Sequence, residues 1–276
     1  MNKIKIEELQ GPQATLLMPL WARAVEARHP QAILRDETSA AIVDSLDYNF
    51  SDFERRGVPI ADYCIRSRVF DELTRGLMAD RPDLSVVELG AGLDTRFDRL
   101  DNDSLRWLEF DMPEVIELRR RFFETTDRRR MLAASLLDDD WTAKVREAAP
   151  TVDLFVVEGV FYFLSSSEVV AVLKRIADEF PGARVIFDAQ SPLFVRYSNL
   201  RQPIDRAQLR FSLRHPKDVE QWDPRFKMEK YVGFGDAPFY TGVMHRLAWY
   251  KRLIGLAHPL TWRLFTVNQV RLGEAD

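Results

Sequence analysis

The chain has 276 residues, of which 46% are apolar, and this is enough apolar material for one continuous α/β domain. The charged fraction is 30% and the net charge is -4, so no basic excess predicts a nucleic-acid partner. The single cysteine, Cys64, excludes an internal disulfide and a cysteine-rich zinc site. A charged N-terminus, with no apolar run near the roughly 20 residues of a membrane span, predicts a cytoplasmic protein without a membrane partner.

Helical patterning dominates the N-terminal part, because residues 11–80 lack strand alternation and contain few helix breakers. Apolar residues repeat at four-residue spacing from Ile65 to Leu77, which predicts a helix with one apolar face. We expect residues 1–80 to form a helical cap that belongs to the same domain as a core over residues 81–276.

The core sequence alternates short apolar runs with amphipathic stretches. The apolar runs cover residues 86–89, 105–110, 131–134, 154–157 and 184–187, and the amphipathic stretches include 113–123 and 168–180. Strands that are apolar on both faces and alternate with helices predict a parallel sheet with helices on both faces. Residues 227–234 and 264–271 are the candidates for an antiparallel edge, and we expect residues 190–226 to form an insertion over the sheet.

Glycines or carboxylates follow several predicted strands, and ligands of open α/β sheets bind beyond the carboxyl ends of the strands. The first strand runs into Gly90, Ala91 and Gly92, where two glycines permit a tight turn close to a ligand. The second ends at Asp111, about twenty residues later, a spacing at which a carboxylate accepts the hydroxyls of a nucleotide ribose. A turn without a ligand, and a carboxylate that caps the next helix, are the alternatives.

Charge and one missing glycine indicate the type of cofactor. A dinucleotide fingerprint has a third glycine where this chain has Thr95, which favours a cofactor without a pyrophosphate. Glu88, Asp94 and Glu158 place acidic charge near the strand ends, which suits the sulfonium and ammonium groups of S-adenosylmethionine. Glu88 and Glu158 are therefore cofactor-binding candidates. Pairing of Glu88 with an arginine, and helix capping by Glu158, are the alternatives.

Four segments of the chain follow one another in a characteristic order and spacing: VVELGAGLDTRFDRL, EFDMPEVIELRRRFF, AASLLDDDW and VVEGVFYFL. This pattern resembles the leucine carboxyl methyltransferase family over residues 20–190, and within it the bacterial branch of polyketide O-methyltransferases. The resemblance implies a Rossmann-like class I methyltransferase with a mostly parallel seven-stranded sheet and an antiparallel edge. It also implies S-adenosyl-L-methionine as the cofactor and S-adenosyl-L-homocysteine as the product.

The resemblance also assigns site residues to parts of the cofactor. By it, Arg66 holds the methionine carboxylate and Glu158 faces the methionine ammonium. The other residues that it places, in order along the methionine, the ribose and the adenine, are Gly90, Ala91 and Gly92, then Asp111, then Ser135 and Leu136.

Two positions depart from the family pattern. Relatives often have Asp where this chain has Ser135, so the resemblance does not imply a hydrogen bond to the adenine amino group. They commonly have Tyr where this chain has Phe163. The neighbouring Tyr162 is the one catalytic candidate, although adjacent residues point in different directions.

Methyl transfer from a sulfonium is an in-line displacement that requires alignment and exclusion of water but no metal. A carboxylate acceptor is ionised at neutral pH and needs no base, whereas a phenol would benefit from one. We therefore expect an O-methyltransferase for the carboxylate or phenolic hydroxyl of an acidic or aromatic small molecule of polyketide type. The basic segment 196–217 could attract this acceptor or form a solvated helix face. Methylation of a protein C-terminus, and cofactor binding without turnover, are the other hypotheses.

Overall fold

A computed structural model describes residues 4–5, 16–201, 208–233, 236 and 264–273 of the chain. Its helices are α1 (Leu17–Ala27), α2 (Glu37–Ser45), α3 (Ser51–Arg55), α4 (Ile60–Asp80), α5 (Arg96–Leu100), α6 (Pro113–Arg119), α7 (Trp141–Ala148), α8 (Ser166–Glu179) and α9 (Pro192–Arg201). Its strands are β1 (Ile4–Lys5), β2 (Leu46–Asp47), β3 (Ser85–Leu89), β4 (Arg106–Asp111), β5 (Arg129–Ala133), β6 (Leu154–Val157), β7 (Arg184–Gln190), β8 (Phe226–Gly233) and β9 (Phe265–Leu272). Short 3₁₀ turns cover Phe161–Phe163 and Pro216–Gln221.

Helices α1 to α4 precede the main sheet. Helix α1 packs against α2 and α4. Buried apolar side chains of α1 and α2, such as Leu20, Trp21 and Ile42, share one cluster with Leu93 in the loop after β3. β1 and β2 pair in a short parallel ladder that the sequence did not indicate. Because these helices share a core with the loop after β3, we propose that they form a cap within a single domain.

The main sheet has the strand order β5-β4-β3-β6-β7-β9-β8. Strands β3 to β7 are parallel, whereas β9 lies antiparallel between β7 and β8. The predicted seven-stranded sheet with an antiparallel edge is confirmed, and β9 is the second strand from that edge. The strand order reverses between β3 and β6, which is where open α/β sheets bind their ligands.

The central strands are buried on both faces, because neighbouring residues point to opposite sides and both sides carry helices. On one face, Val87 of β3 belongs to a cluster with Val172 and Ile176 of α8. On the other face, Val86 belongs to a cluster with Val69 of α4. Full burial of each such aliphatic side chain stabilises the fold by about 1.5–3 kcal/mol. The predicted helices on both faces are therefore confirmed.

The segment after β7 contains α9 and the second 3₁₀ turn. Phe211 and Val219 of this segment are fully buried and belong to the larger core cluster. We propose that the segment 190–226 packs over the sheet as an insertion of the core. Residues 202–207, which include Arg206 of the basic segment, lie outside the described residues.

Candidate functional site at the strand ends

The loop after β3 is held against the end of β4. The N–H groups of Gly90 and Ala91 donate to the carbonyl of Phe110 at 2.8 and 3.1 Å. Gly90 has a φ of +75°, and a Cβ built on it would lie 2.2 Å from Cγ2 of Val160. A larger residue here would therefore be strained by the backbone angle and would displace Val160.

Asp111 ends β4 and is half-buried. Its two carboxylate oxygens accept hydrogen bonds from the backbone N–H groups of Gly92 and Met112, each at 2.7 Å. Burial raises the pKa of this carboxyl, although the two N–H groups oppose the shift. A carboxylate oxygen has room for more than one donor, so Asp111 can also accept hydroxyl groups of a ligand.

The loop after β5 brings Ser135 and Leu136 next to Asp111. The link is a hydrogen bond of 3.0 Å from the N–H of Ala134 to the Asp111 carbonyl. Both Ser135 and Leu136 are half-buried, and Ser135 Oγ accepts from the N–H of Leu137 at 3.1 Å. The Ser135 side chain therefore helps to shape the loop in which the sequence predicted an adenine contact.

Arg66 of α4 and Glu158, directly after β6, form an ion pair that is mostly shielded from solvent. Arg66 Nε lies 2.8 Å from Glu158 Oε1, and the Ser67 hydroxyl donates to the same oxygen at 3.0 Å. Arg96 contacts the other carboxylate oxygen. Burial alone would raise the pKa of Glu158, but Arg66 and Arg96 outweigh burial and lower it. Glu158 is therefore an ionised carboxylate that faces two guanidinium groups.

Arg96 is fully buried and joins the strand ends into one ion network. Its guanidinium contacts four carboxylates: Asp71, Glu88, Asp94 and Glu158. Glu88 accepts one hydrogen bond from Arg96 and another from Trp107 Nε1, at 3.1 and 3.0 Å. Burial and the nearby Asp94 raise the pKa of Glu88. These contacts match the alternative of arginine pairing, and they place Glu88 behind Arg96.

The cap is tied to the glycine loop through Asp36, which precedes α2 and is 1% exposed. Its carboxylate accepts from Arg23 Nε and Arg99 Nη1, both at 3.0 Å, and from Thr95 Oγ1 at 2.6 Å. Arg23 also donates to the carbonyl of Leu93 at 2.9 Å. Thr95, which replaces the third glycine of the dinucleotide fingerprint, therefore serves to dock the cap.

Arg119 of α6 supports the glycine loop, and nothing in the sequence singled it out from its neighbouring arginines. It is fully buried, and its Nη1 donates to the carbonyls of Ala91, Gly92 and Asp94 at 3.1, 2.8 and 3.1 Å. Its Nε lies 3.1 Å from Glu109 Oε2 of β4. The two N–H bonds of Nη1 are shared among these three carbonyls, so at least one hydrogen bond is bifurcated, and a single side chain contacts three points of the loop.

Asp188, near the end of β7, is another residue that the sequence analysis left out of the site. Its buried carboxylate accepts from the N–H of Gly159 at 2.9 Å, the Tyr162 hydroxyl at 2.5 Å and Arg66 Nη1 at 3.4 Å. Burial and the charge of Asp188 raise the pKa of Tyr162 well above its usual range. Tyr162 therefore stays protonated at neutral pH and donates to a buried carboxylate.

Most of the sequence-predicted residues meet at the strand ends in two groups. Around the ends of β3, β4 and β5 lie Gly90, Ala91, Gly92, Asp111, Ser135 and Leu136, and at the end of β6 lie Arg66 and Glu158. Val160 connects the two groups by packing on Gly90. Glu88 and Tyr162 lie behind this surface. In the described ranges, no group of His, Cys, Asp or Glu side chains could hold a metal ion, and metal-free chemistry stays a prediction.

Comparison with known proteins gives a consistent result. Residues 16–177 match the leucine carboxyl methyltransferase family. The tetracenomycin polyketide synthesis O-methyltransferase TcmP of Streptomyces glaucescens is 32% identical over 84% of this chain and 86% of its own. The S-adenosyl-L-methionine-dependent methyltransferase dpfgK of Gibberella zeae is 26% identical over 88% of this chain and 92% of its own.

Two solved structures support the fold. One is a complex between the Trm112 methyltransferase activator of Haloferax volcanii and a putative methyltransferase. The match has 18% sequence identity and a TM-score of 0.51, and it covers 84% of this chain and 100% of that chain. The other is the plantazolicin methyltransferase BpumL with S-adenosyl-L-homocysteine, with 10% identity, 95% and 100% coverage, and a TM-score of 0.50. The chain therefore belongs to the leucine carboxyl methyltransferase family and is an S-adenosylmethionine-dependent methyltransferase of class I fold.

Proposed function

We propose that this enzyme is an O-methyltransferase that acts on the carboxylate or phenolic hydroxyl of an acidic or aromatic small molecule of polyketide type. The observation that carries the proposal is the relationship to the polyketide O-methyltransferase TcmP, which extends over 84% of this chain. Membership of a family does not by itself identify the acceptor. The residues at the strand ends and an assay with matched acceptors are needed to identify it.

The residues present fit S-adenosylmethionine. Asp111 is a partly buried carboxylate at the end of β4, and it is hydrogen-bonded to the N–H of Gly92 in the glycine loop. Arg66 and Glu158 carry the charges that complement an amino-acid carboxylate and ammonium. The donor set therefore matches an adenosine linked to a zwitterionic amino acid.

In this proposal Asp111 accepts the ribose hydroxyls, while Ser135 and Leu136 flank the adenine. Arg66 binds the methionine carboxylate and Glu158 the ammonium. In the chain alone these two side chains neutralise each other at 2.8 Å. When the cofactor binds, Arg66 exchanges the Glu158 carboxylate for the methionine carboxylate, and Glu158 exchanges the Arg66 guanidinium for the methionine ammonium. Each side chain therefore keeps a partner of opposite charge. A buried charge without such a partner would cost on the order of 3–5 kcal/mol.

The bound cofactor supplies an electrophilic methyl group for in-line displacement by an acceptor oxygen. The contribution of the chain is to hold that geometry and to exclude water. Among the described residues, Tyr162 was the catalytic candidate, and its buried, protonated hydroxyl is not a base at neutral pH. A carboxylate acceptor is already ionised and needs no base, so it suits this site without further assumptions.

Helix α9 offers a surface for an apolar acceptor. It begins directly after β7, at the edge of the sheet where the strand ends lie. Leu193, Tyr197 and Leu200 of this helix are 71%, 53% and 78% exposed, at a spacing that places them on one side. Arg196, between them, is exposed. We propose that these apolar residues contact the ring system of the acceptor and that Arg196 attracts its acidic group.

The test uses three matched aromatic acceptors with S-adenosylmethionine. They are an ortho-hydroxy acid, its methyl ester, which leaves only the hydroxyl free, and its methyl ether, which leaves only the carboxylate free. Carboxyl methylation gives product from the acid and the ether, and alkali cleaves that product. Hydroxyl methylation gives product from the acid and the ester, and the newly formed methyl ether survives alkali, which cleaves only the ester already present in the second acceptor. Mass spectrometry reads each gain of a methyl group.

Two controls make the result decisive. Arg66→Met should abolish turnover, whereas Arg75→Met, on the exposed side of the same helix, should retain it. Product from peptides with a free C-terminus, but from none of the small acids or phenols, would support the protein carboxyl methyltransferase hypothesis instead. Cofactor binding without product from any acceptor would support a non-catalytic role.

The partner that we propose for this enzyme is a small-molecule acceptor. In the described part of the chain, no helix is long and apolar enough to span a bilayer. The cytoplasmic location and the lack of a nucleic-acid partner stay predictions that rest on composition.

A further inference from the structure

We propose that Asp188 is a positioning residue for the amino-acid end of the cofactor and that it acts by holding the Arg66 guanidinium. The inference rests on the proposed function of Arg66 and extends it to a residue that does not itself contact the cofactor. Three observations carry it: the register of β6 and β7, the contacts of Arg66, and the turn at Gly159.

The register of the sheet places Asp188 beside Glu158. Val157 at the end of β6 pairs with Phe187 of the parallel strand β7, so Glu158, directly after β6, lies beside Asp188 of β7. Arg66 reaches both, with Nε 2.8 Å from Glu158 and Nη1 3.4 Å from Asp188. Two anchors at different nitrogens fix the plane of the guanidinium as well as its position.

Asp188 also holds the backbone against which Arg66 packs. The N–H of Gly159 donates to Asp188 Oδ1 at 2.9 Å, and Gly159 has a φ of +73°. A Cβ built on Gly159 would lie 3.4 Å from Arg66 Nη1. The same carboxylate therefore fixes the guanidinium and the turn beneath it, while Tyr162 donates to its second oxygen at 2.5 Å.

Charge balance gives Asp188 a role of its own when the cofactor is present. Glu158 can turn from Arg66 to an ammonium because Arg96 still contacts its other oxygen. Among the described contacts of Arg66, Asp188 is then the one carboxylate of the protein that still forms an ion pair with it. Burial raises the pKa of Asp188, whereas Arg66, Tyr162 and the N–H of Gly159 oppose this shift by stabilising its ionised form. Because Asp188 is fully buried, the charge of that ionised form is weakly screened and can hold the guanidinium in place for a carboxylate ligand.

The experiment measures binding of two ligands by isothermal titration. S-adenosylhomocysteine contains the amino-acid group, whereas 5′-methylthioadenosine has the same adenosine without it. Asp188→Asn keeps the shape of the side chain, with its oxygen able to accept from Gly159 and its amide able to donate to the Tyr162 oxygen. We expect the Kd for S-adenosylhomocysteine to rise about tenfold and the Kd for 5′-methylthioadenosine to stay within a factor of about two.

Two further variants complete the design. Asp178→Asn, an exposed aspartate of α8 paired with Arg225, controls for loss of a negative charge and should leave both constants unchanged. Asp188→Glu keeps the charge but moves it by one methylene. It replaces Asp188→Asn if that variant does not fold, with the same selective loss expected.

Equal loss of affinity for both ligands would show a general structural role and overturn the inference, as would no loss for either. Arg66→Met separates the inference from the proposed function. If Arg66→Met leaves the Kd for S-adenosylhomocysteine unchanged, the proposed role of Arg66 fails, and the inference fails with it. If Arg66→Met weakens that binding and Asp188→Asn does not, only the inference fails.

Discussion

At the scale of single residues, the carboxylates at the strand ends differ in what surrounds them. Asp111 is half-buried and receives backbone N–H groups, whereas Glu158 faces Arg66 and Arg96. Glu88 is buried behind Arg96 and beside Trp107. Asp111 is half-buried and pairs with no arginine or lysine in the described contacts, which suits hydrogen bonds from hydroxyl groups. Glu158 lies among arginines, which suits the exchange of an arginine for a charged group of a ligand. Local surroundings therefore assign different roles to chemically similar side chains.

The raised pKa of Glu88 predicts a pH dependence of stability. In the unfolded chain this group titrates near 4.5, and burial and Asp94 raise its pKa in the folded protein. Its contribution is then fully present below pH 4.5 and is lost as pH rises through the raised pKa. One proton gives a slope of at most about 1.4 kcal/mol per pH unit.

Glu88→Gln cannot ionise, so its free energy of unfolding should fall less than that of the wild type between about pH 5 and pH 8. Urea unfolding at several pH values measures both slopes. Identical slopes in the two proteins would show that Glu88 does not change protonation on folding in this range.

The backbone at Gly90 predicts a large cost for a methyl group. Gly90→Ala combines a left-handed φ, which costs about 1–2 kcal/mol, with a clash at Val160. Gly57→Ala is the matched control, because Gly57 has a φ of +62° and nothing within 4 Å of a built Cβ. We expect Gly57→Ala to lose about 1 kcal/mol and Gly90→Ala at least twice as much, by urea unfolding. Equal losses would mean that Val160 does not restrict this position.

At the scale of elements, the cap is joined to the glycine loop by buried ionic contacts at Asp36. Removal of that charge leaves Arg23 and Arg99 with one partner fewer. We expect Asp36→Asn to reduce the free energy of unfolding by about 3–5 kcal/mol. Asp44→Asn removes a partner from Arg28 in an exposed pair and should cost about 0–1 kcal/mol.

Hydrogen exchange locates the effect of Asp36→Asn. The amides of α1 and α2 should exchange faster in the variant, whereas those of α8, on the sheet, should change little under native conditions. Uniform acceleration across all helices would mean that Asp36 supports the whole fold and is not a local anchor of the cap.

Most sheet elements could be predicted because their apolar runs are local signals, but their ends depend on tertiary partners. β7 was predicted to end at residue 187 and extends to Gln190, because its last three residues pair with β9, which is distant in the sequence. β5 begins two residues before the predicted run. Arg129 at its start is buried because it binds Glu109 and packs on Phe123.

The site could be predicted only in part, for a related reason. Asp111 and Glu158 follow apolar runs, so the sequence indicated their position at the strand ends. The buried arginines have no such signal, because Arg96, Arg99 and Arg119 find their partners through folding and resemble exposed helix charges in the sequence. Asp188, like Asp111 and Glu158, directly follows an apolar run. This position was the signal by which the sequence could have indicated that it belongs to the site.

At the scale of the whole molecule, the strand ends form a connected ion network with more acids than bases. Its guanidinium groups belong to Arg23, Arg66, Arg96 and Arg99, and its carboxylates to Asp36, Asp71, Glu88, Asp94, Glu158 and Asp188. Glu88 has a raised pKa and is left out of the charge balance, but the other five carboxylates still exceed the four guanidinium groups. This excess of negative charge favours a cofactor with a sulfonium and an ammonium group and disfavours a pyrophosphate. The chain as a whole is also acidic, with a net charge of -4.

Isothermal titration of the protein with S-adenosylmethionine tests the central claim most directly. NADH serves as the phosphate-bearing control ligand, Asp111→Ala removes the proposed ribose contact, and Asp139→Ala replaces an aspartate whose side chain is 99% exposed. We predict micromolar binding of S-adenosylmethionine to the wild type and to Asp139→Ala, a loss of about 100-fold in Asp111→Ala, and no binding of NADH. Wild-type affinity in Asp111→Ala, or binding of NADH in place of S-adenosylmethionine, would contradict a cofactor site at these strand ends.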